Sequence, residues 1–363
     1  MSIVIFIIIL AVLIIVHEAG HFFVAKKGGI RVDEFGLGYP PRAKKLFRKN
    51  GTDFTLNWLP FGGFVKIFGE NPDDESLNGD NKKFAFVNKP RWLQALVLFA
   101  GPFMNFVFAW LIIFVTLLVG LPTTIDESFD RRFVSEESTM VTQVAPGSPA
   151  DLAGLKPGDK IFGIGLNNEE PQTNINAETL RSLVLENPDG TFNIILEGDK
   201  PDMRDIKPAD VNGEKLLGLG LSEFGIYKPN FFKAFVESFR FTGIMIANIA
   251  LALINLIGGA FTGTSDISNL TGPIGIVGMV GDATQMGLVY ILSFAAIISV
   301  NLGVINLIPF PALDGGRLFF LLIEKVAGRR VNYKILNTIN FIGFSLLIIL
   351  MLFISYKDLV RLF

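Results

Sequence analysis

Stretches long and apolar enough to cross a bilayer dominate this chain and restrict it to folds that a membrane accepts. A spanning helix needs about 20 predominantly apolar residues. Hydrocarbon satisfies no backbone polar group, so such a stretch is expected to be helical. Met1–Val16 is apolar except for Ser2, and the run continues through His17-Glu18-Ala19-Gly20-His21 to Ala25. It lacks a basic leader and a small-residue cleavage site, so it reads as a retained first span. Further spans are expected at about Trp92–Leu121, Leu288–Leu313 and Ile339–Ile354, all without a charge.

Between the second and third spans lies a polar block, Thr123–Tyr227, rich in Gly and Pro and holding 19 Asp and Glu against about half as many Lys and Arg. Its length suits one small soluble domain. The loop Lys26–Arg91 carries 13 Lys and Arg, which places it on the cytoplasmic side. Arg317, Lys325, Arg329 and Arg330 place the loop after the third span there too. The chain then starts outside, and the acidic block is extracytoplasmic. A net charge of −2 gives no reason to expect nucleic acid. With no cysteine, disulfides, thiolate ligands and a cysteine nucleophile are all excluded.

The only two histidines are His17 and His21, and they form an H-E-x-x-H motif. Residues four apart share a helix face, so both imidazoles can hold one zinc with Glu18 beside them as general base. Ionisable groups in an apolar span are costly unless paired, coordinated or turned to a cavity. Catalytic zinc takes three protein ligands and keeps one position open. Without another His or any Cys, the third ligand must be a carboxylate. Asp314, in Pro309-Phe310-Pro311-Ala312-Leu313-Asp314-Gly315-Gly316, is the leading choice at the end of the third span. A plain helix-end carboxylate is its bland alternative.

Topology tests this pairing. His17–His21 and Asp314 meet only if the first and third spans run in the same direction, so crossings between them must be odd in number. Phe241–Phe261 is uncharged, with Asn248 and Asn255 seven apart on one helix face. A lone crossing there would carry Asp314 to the wrong side. The segment is therefore expected to be interfacial or re-entrant, and the fold a four-span helical membrane protein.

Together these residues resemble the site-2 protease family, most closely its bacterial regulator-of-sigma-E type. The resemblance rests on His17–His21, Gly62-Gly63-Phe64-Val65-Lys66, Ala100-Gly101-Pro102-Phe103-Met104-Asn105, Gly272-Pro273-Ile274-Gly275-Ile276, and Asn301–Pro309 leading to Leu313–Gly316. It implies that His17, His21 and Asp314 hold Zn2+ and that Glu18 is catalytic. It also implies that Asn306, Pro309, Gly63 and Phe64 receive the substrate. Thr55–Pro60 and Gly62–Ile67 resemble the family's membrane-associated β-hairpin, two strands joined by a tight turn. An interfacial loop anchored by Trp58 and Phe61 is the alternative. Gly147–Ile161 resembles the core of an α+β PDZ domain, here single where well-known relatives carry two, acting either as peptide binder or as steric gate. Arg317 stands where some relatives have histidine, a position a three-ligand site does not need.

The expected organisation is a membrane part over 1–122, an extracytoplasmic PDZ domain over 123–227, an amphipathic or re-entrant linker over 228–286 and a second membrane part over 287–363. The expected function is an intramembrane zinc metalloprotease of a bacterial inner membrane, with its active site toward the cytoplasm. Its partners would be the lipid bilayer and single-span membrane proteins, either anti-sigma factors or remnant signal peptides, undergoing regulated intramembrane proteolysis. A non-enzymatic membrane-anchored PDZ scaffold is the alternative, and a zinc carrier ranks behind both.

Overall fold

The computed structural model describes residues 2–71, 74–125, 129–167, 169–173, 177–197, 203–211, 214–263 and 272–361. Ten α-helices are described: α1 Ser2–Lys27, α2 Asp74–Asn78, α3 Arg91–Val119, α4 Pro149–Leu152, α5 Ala177–Glu186, α6 Phe231–Thr262, α7 Pro273–Met286, α8 Leu288–Leu307, α9 Asp314–Ala327 and α10 Tyr333–Arg361. The strands are β1 Val32–Lys49, β2 Thr52–Ile67, β3 Leu121–Thr124, β4 Val134–Val144, β5 Lys160–Leu166, β6 Gln172–Thr173, β7 Phe192–Leu196, β8 Met203–Ile206, β9 Ala209–Val211, β10 Glu214–Leu216 and β11 Leu219–Tyr227. The chain divides into two compact units, Met1–Thr116 with Phe235–Phe363, and Leu117–Ala234.

In the first unit, α1 is buried along one stripe, Ile9, Leu13, His17, Gly20, His21 and Ala25. This spacing of about four is the signature of one helix face. The stripe packs antiparallel on α3: a side chain at Gly28 would meet Leu93, and one at Gly20 would collide with the Ala100 carbonyl. Close backbone approach through small residues is how helices associate where no hydrophobic drive operates. Helix α8 completes the contact, since Ser299 Oγ donates to the Asn105 carbonyl at 2.7 Å and Gly303 faces the Phe106 ring.

Among the described residues, five helices are long and apolar enough to cross a membrane: α1, α3, Phe231–Gly259 of α6, α8 and α10. The segment 241–261, expected to be interfacial or re-entrant, thus lies in a continuous helix that qualifies by length and composition. The expected third span, Leu288–Leu313, is shorter than predicted. It stops at Leu307, and Asp314 opens a separate helix. Pro309 and Pro311 explain the break, because proline cannot supply the backbone donor a continuing helix requires.

The hairpin expectation needs correction. Thr55–Pro60 and Gly62–Ile67 are both extended, but both pair with β1 rather than with each other. Residues 32–37 pair antiparallel with 67–63, and 42–49 pair antiparallel with 57–52. From Glu34–Asp53 to Leu37–Leu56 the partner numbers rise together, which is parallel pairing. The first limb of β1 therefore lies between the two limbs of β2. Gly38 (φ +80°) and Gly62 (φ +98°) supply the left-handed backbone at the two bends, a region glycine enters without steric cost.

The second unit is an antiparallel sheet in the order β3-β11-β4-β5-β7-β8, with β6 on β5. Its core includes Val141, Ile161, Ile164, Leu180, Val184, Phe192, Ile194 and Ile206. Along β7 burial alternates, as expected for a strand with one face on a core.

Candidate metal centre

The buried stripe of α1 carries His17 and His21 side by side, their Nε2 atoms 3.2 Å apart. Asp314 Oδ2 lies 3.1 Å from His17 Nε2 and 3.3 Å from His21 Nε2. Among the described residues this is the one group of three metal-capable side chains whose ligand atoms converge. Sequence alone placed the histidines together. Folding brings the aspartate to them from almost three hundred residues away.

Asp314 arrives there because the chain doubles back after α8. The Phe310 amide donates to the Ile308 carbonyl and the Leu313 amide to that of Phe310. The Ala312 amide, at φ +74°, donates to Asn340 Oδ1. The first turn of α9 then rests on these carbonyls, and a side chain at Gly315 or Gly316 would strike the backbone oxygens of Leu307, Ile308 or Phe310. The Gly-Gly pair after Asp314 is thus a packing requirement.

Zinc fits this group. Four-coordinate zinc stands about 2.0–2.2 Å from nitrogen and carboxylate donors, so neighbouring donors on a tetrahedron lie about 3.3–3.5 Å apart by that geometry. The observed separations of 3.1–3.3 Å are close to this. Two ring nitrogens at that distance need either a proton or a metal cation between them, since their lone pairs otherwise repel. Asp314 Oδ2 is buried and faces the two imidazoles at 3.1 and 3.3 Å, and a buried carboxylate is costly unless a cation, metal or imidazolium, sits beside it.

Helix α3 closes the back of the group. The Val97 carbonyl accepts from His21 Nδ1 at 2.8 Å. A carbonyl only accepts, so the ring proton sits on Nδ1 and the Nε2 lone pair faces Asp314. Asn105, fully buried, approaches His17 Nδ1 at 3.1 Å. Between them, Gly101 leaves the space the rings occupy. A Cβ there would overlap His21 Nε2 and come within 2.6 Å of His21 Cε1 and 2.9 Å of His17 Cε1.

Glu18 points to the β2 side of α1. Its neighbour is Gly63, where a Cβ would lie 4.0 Å from Glu18 Cγ, and the Val65 backbone hydrogen-bonds to it. Phe64 covers Gly36, where a Cβ would be 2.5 Å from the Phe64 ring. Asn306 is half-buried near the end of α8 and Pro309 is exposed in the following link. Gly63 thus lies beside Glu18 with Phe64 next to it on β2, whereas Asn306 sits in the last turn of α8 and Pro309 in the link that delivers Asp314.

Sequence reasoning gave no part in the metal centre to Val97, Gly101, Asn105, Glu70 or Arg317. An asparagine inside an apolar span was the available clue for Asn105, because a polar side chain in such a place needs a partner. Glu70 follows β2 and forms an ion pair with Arg317 of α9, tying the strand region to the helix that begins with Asp314.

A family profile described as "Peptidase family M50" matches residues 5–350. The regulator of sigma-W protease RasP of Bacillus subtilis is 28% identical, the match covering 100% of this chain and 99% of that protein. Zinc metalloprotease RasP of Bacillus licheniformis is likewise 28% identical over 100% of this chain and 99% of its own length. The regulator of sigma E protease of Haemophilus influenzae is 29% identical over 98% of both.

Proposed function

This chain belongs to peptidase family M50, and from that premise we propose that it hydrolyses peptide bonds in or beside the transmembrane segments of single-span membrane proteins. It is a zinc metalloprotease and a multi-pass membrane protein. Its zinc ligands, in our reading, are His17, His21 and Asp314, and Glu18 is the general base. The observation that carries this is the convergence of three donors at zinc spacing with a carboxylate on the same helix turn.

Bound zinc supplies Lewis acidity, bringing a water's pKa to about 7 and polarising the scissile carbonyl. Glu18 accepts the water proton and delivers it to the leaving amine. The Val65 N–H holds the Glu18 carboxylate on the side where substrate enters. Residues 62–67 pair with β1 along one edge. Their other edge suits an unwound substrate segment added as a strand, with Gly63 offering close approach and Phe64 a contact surface. Asn306 and Pro309 receive the substrate from the α8 side.

We place the basic loop 26–91 and the metal centre toward the cytoplasm and the block 123–227 outside a bacterial inner membrane. Antiparallel packing of α3 on α1 supports opposite directions for these spans. With α8 and α10 they make the four crossings, and α6 lies along or re-enters the membrane. The proposed domain limits are 1–122, 123–227, 228–286 and 287–363.

The unit around 123–227 is, in this reading, a PDZ domain. A cavity of about 1060 Å³ opens between α5, with Leu180, Arg181 and Val184, and the segment Leu217–Leu221 that leads into β11. Beyond its pairing with β4, β11 is joined by β3 only from Phe224 onward. Among the described residues that leaves an edge at 219–222 suited to an extended peptide. Because two relatives are named regulators of sigma factors W and E, anti-sigma factors are the proposed substrate class, with remnant signal peptides as the housekeeping alternative.

The test is cleavage of a shortened single-span substrate by wild type and Glu18→Gln, with zinc quantified in both. Cutting by wild type alone, with one zinc in each, supports the assignment. Zinc in neither protein removes it and leaves the non-enzymatic PDZ scaffold as the better reading.

A further inference from the structure

Helix α3 presents three consecutive turns to the two histidines, through Val97, Gly101 and Asn105 at intervals of four. Val97 fixes His21, as described. His17 is the less settled ring. Asn105 Nδ2 stands 3.1 Å from His17 Nδ1, while Asn105 Oδ1 is buried without a hydrogen-bond partner among the described residues. A carboxamide can exchange its two ends by a half turn about its terminal torsion. Only one orientation is compatible with a metal on His17 Nε2. That ring then keeps its proton on Nδ1 and needs an acceptor, as second-shell partners of metal-bound histidines provide.

We propose that Asn105 is a positioning residue for the metal, turning its Oδ1 to accept the Nδ1–H of His17 and so holding Nε2 toward Asp314 and His21. The proposal rests on the reading of His17, His21 and Asp314 as the zinc ligands. The Asn105 backbone is itself anchored, its carbonyl accepting from Ser299 Oγ of α8 at 2.7 Å. Three spans therefore meet at this one residue. Asn105 touches neither substrate nor the reacting atoms. It acts through the ring, and its loss appears first in metal affinity.

The experiment uses the full chain in detergent, with zinc affinity measured by chelator competition and thermal unfolding followed in the metal-free form. Asn105→Leu keeps the side chain's size and removes the acceptor. It is expected to weaken zinc binding by about 10- to 100-fold. Its metal-free melting temperature is expected to change little, because the hydrogen bond lost at His17 Nδ1 is offset by removal of the buried amide's unpartnered oxygen. Asn105→Asp supplies an acceptor and no surplus N–H, and is expected to bind zinc at least as tightly as wild type. Wild-type affinity in Asn105→Leu overturns the proposal. So does a tenfold loss in Asn105→Asp, which carries the test by itself if Asn105→Leu does not fold. Wild type that binds no zinc refutes the ligand assignment instead, so the two failures are distinct.

Discussion

Replacing Gly101 by alanine should separate metal binding from folding. The added methyl would overlap His21 Nε2 and sit 2.6 Å from His21 Cε1 and 2.9 Å from His17 Cε1, all closer than carbon tolerates. The rings must turn away from Asp314 to admit it. Holding them in the ligating arrangement against the methyl costs about 1–3 kcal/mol, the usual range for overpacking. At 1.4 kcal/mol per tenfold, zinc affinity should fall by about 5- to 150-fold. Without zinc the rings are free to move, and the substitution gains about 1 kcal/mol from helix propensity. The metal-free protein should therefore melt close to wild type while the stabilisation that zinc confers shrinks. Zinc competition and thermal unfolding with and without metal measure both effects. Wild-type zinc affinity in Gly101→Ala would refute the reasoning, since the rings would then not be seated against residue 101.

Asp130 accepts from Arg132 and from Lys233 Nζ at 2.6 Å. These cations hold its carboxyl well below the ordinary 3.8. A depressed folded pKa means the contribution is complete above about pH 4 and fades as pH falls below it. Asp130→Asn should accordingly narrow the gap in melting temperature between pH 7 and pH 3, and an unchanged gap would count against the contact. Arg317→Gln should leave half-buried Glu70 without its ion pair and lower stability by about 1–2 kcal/mol, between exposed and buried pairs; the exchanged pair Glu70→Arg with Arg317→Glu should recover part of it in a melt. Asp358 accepts from the amides of Gly272 at 3.2 Å and Gly275 at 2.9 Å, capping α7 from another helix. Asp358→Ala should cost about 1–2 kcal/mol and speed amide exchange across the first turn of α7, whereas exchange unchanged there would discount the cap.

The sequence by itself determined what depends on local pattern. Uncharged runs announced α1, α3, α8 and α10, because backbone groups in hydrocarbon leave helix as the economical form. His17 and His21 were legible as a pair since four residues return a helix to the same face. Asp314 could be nominated only by eliminating other ligands and by counting crossings, and the motif resemblance supplied its role. What the tertiary structure decided is what relies on distant partners. The limbs of β2 read as a hairpin because neighbouring strands commonly pair, yet the first limb of β1 inserts between them. No local periodicity encodes strand order. The break after Leu307 was masked by an unbroken apolar run, which measures hydrophobicity and not whether the helical ladder continues. Val97 looked like an ordinary span residue, and Gly101 and Asn105 were visible only as part of a motif without an assigned role. Their significance comes from a carbonyl, a gap and an amide facing two rings on another helix, and only packing brings those together.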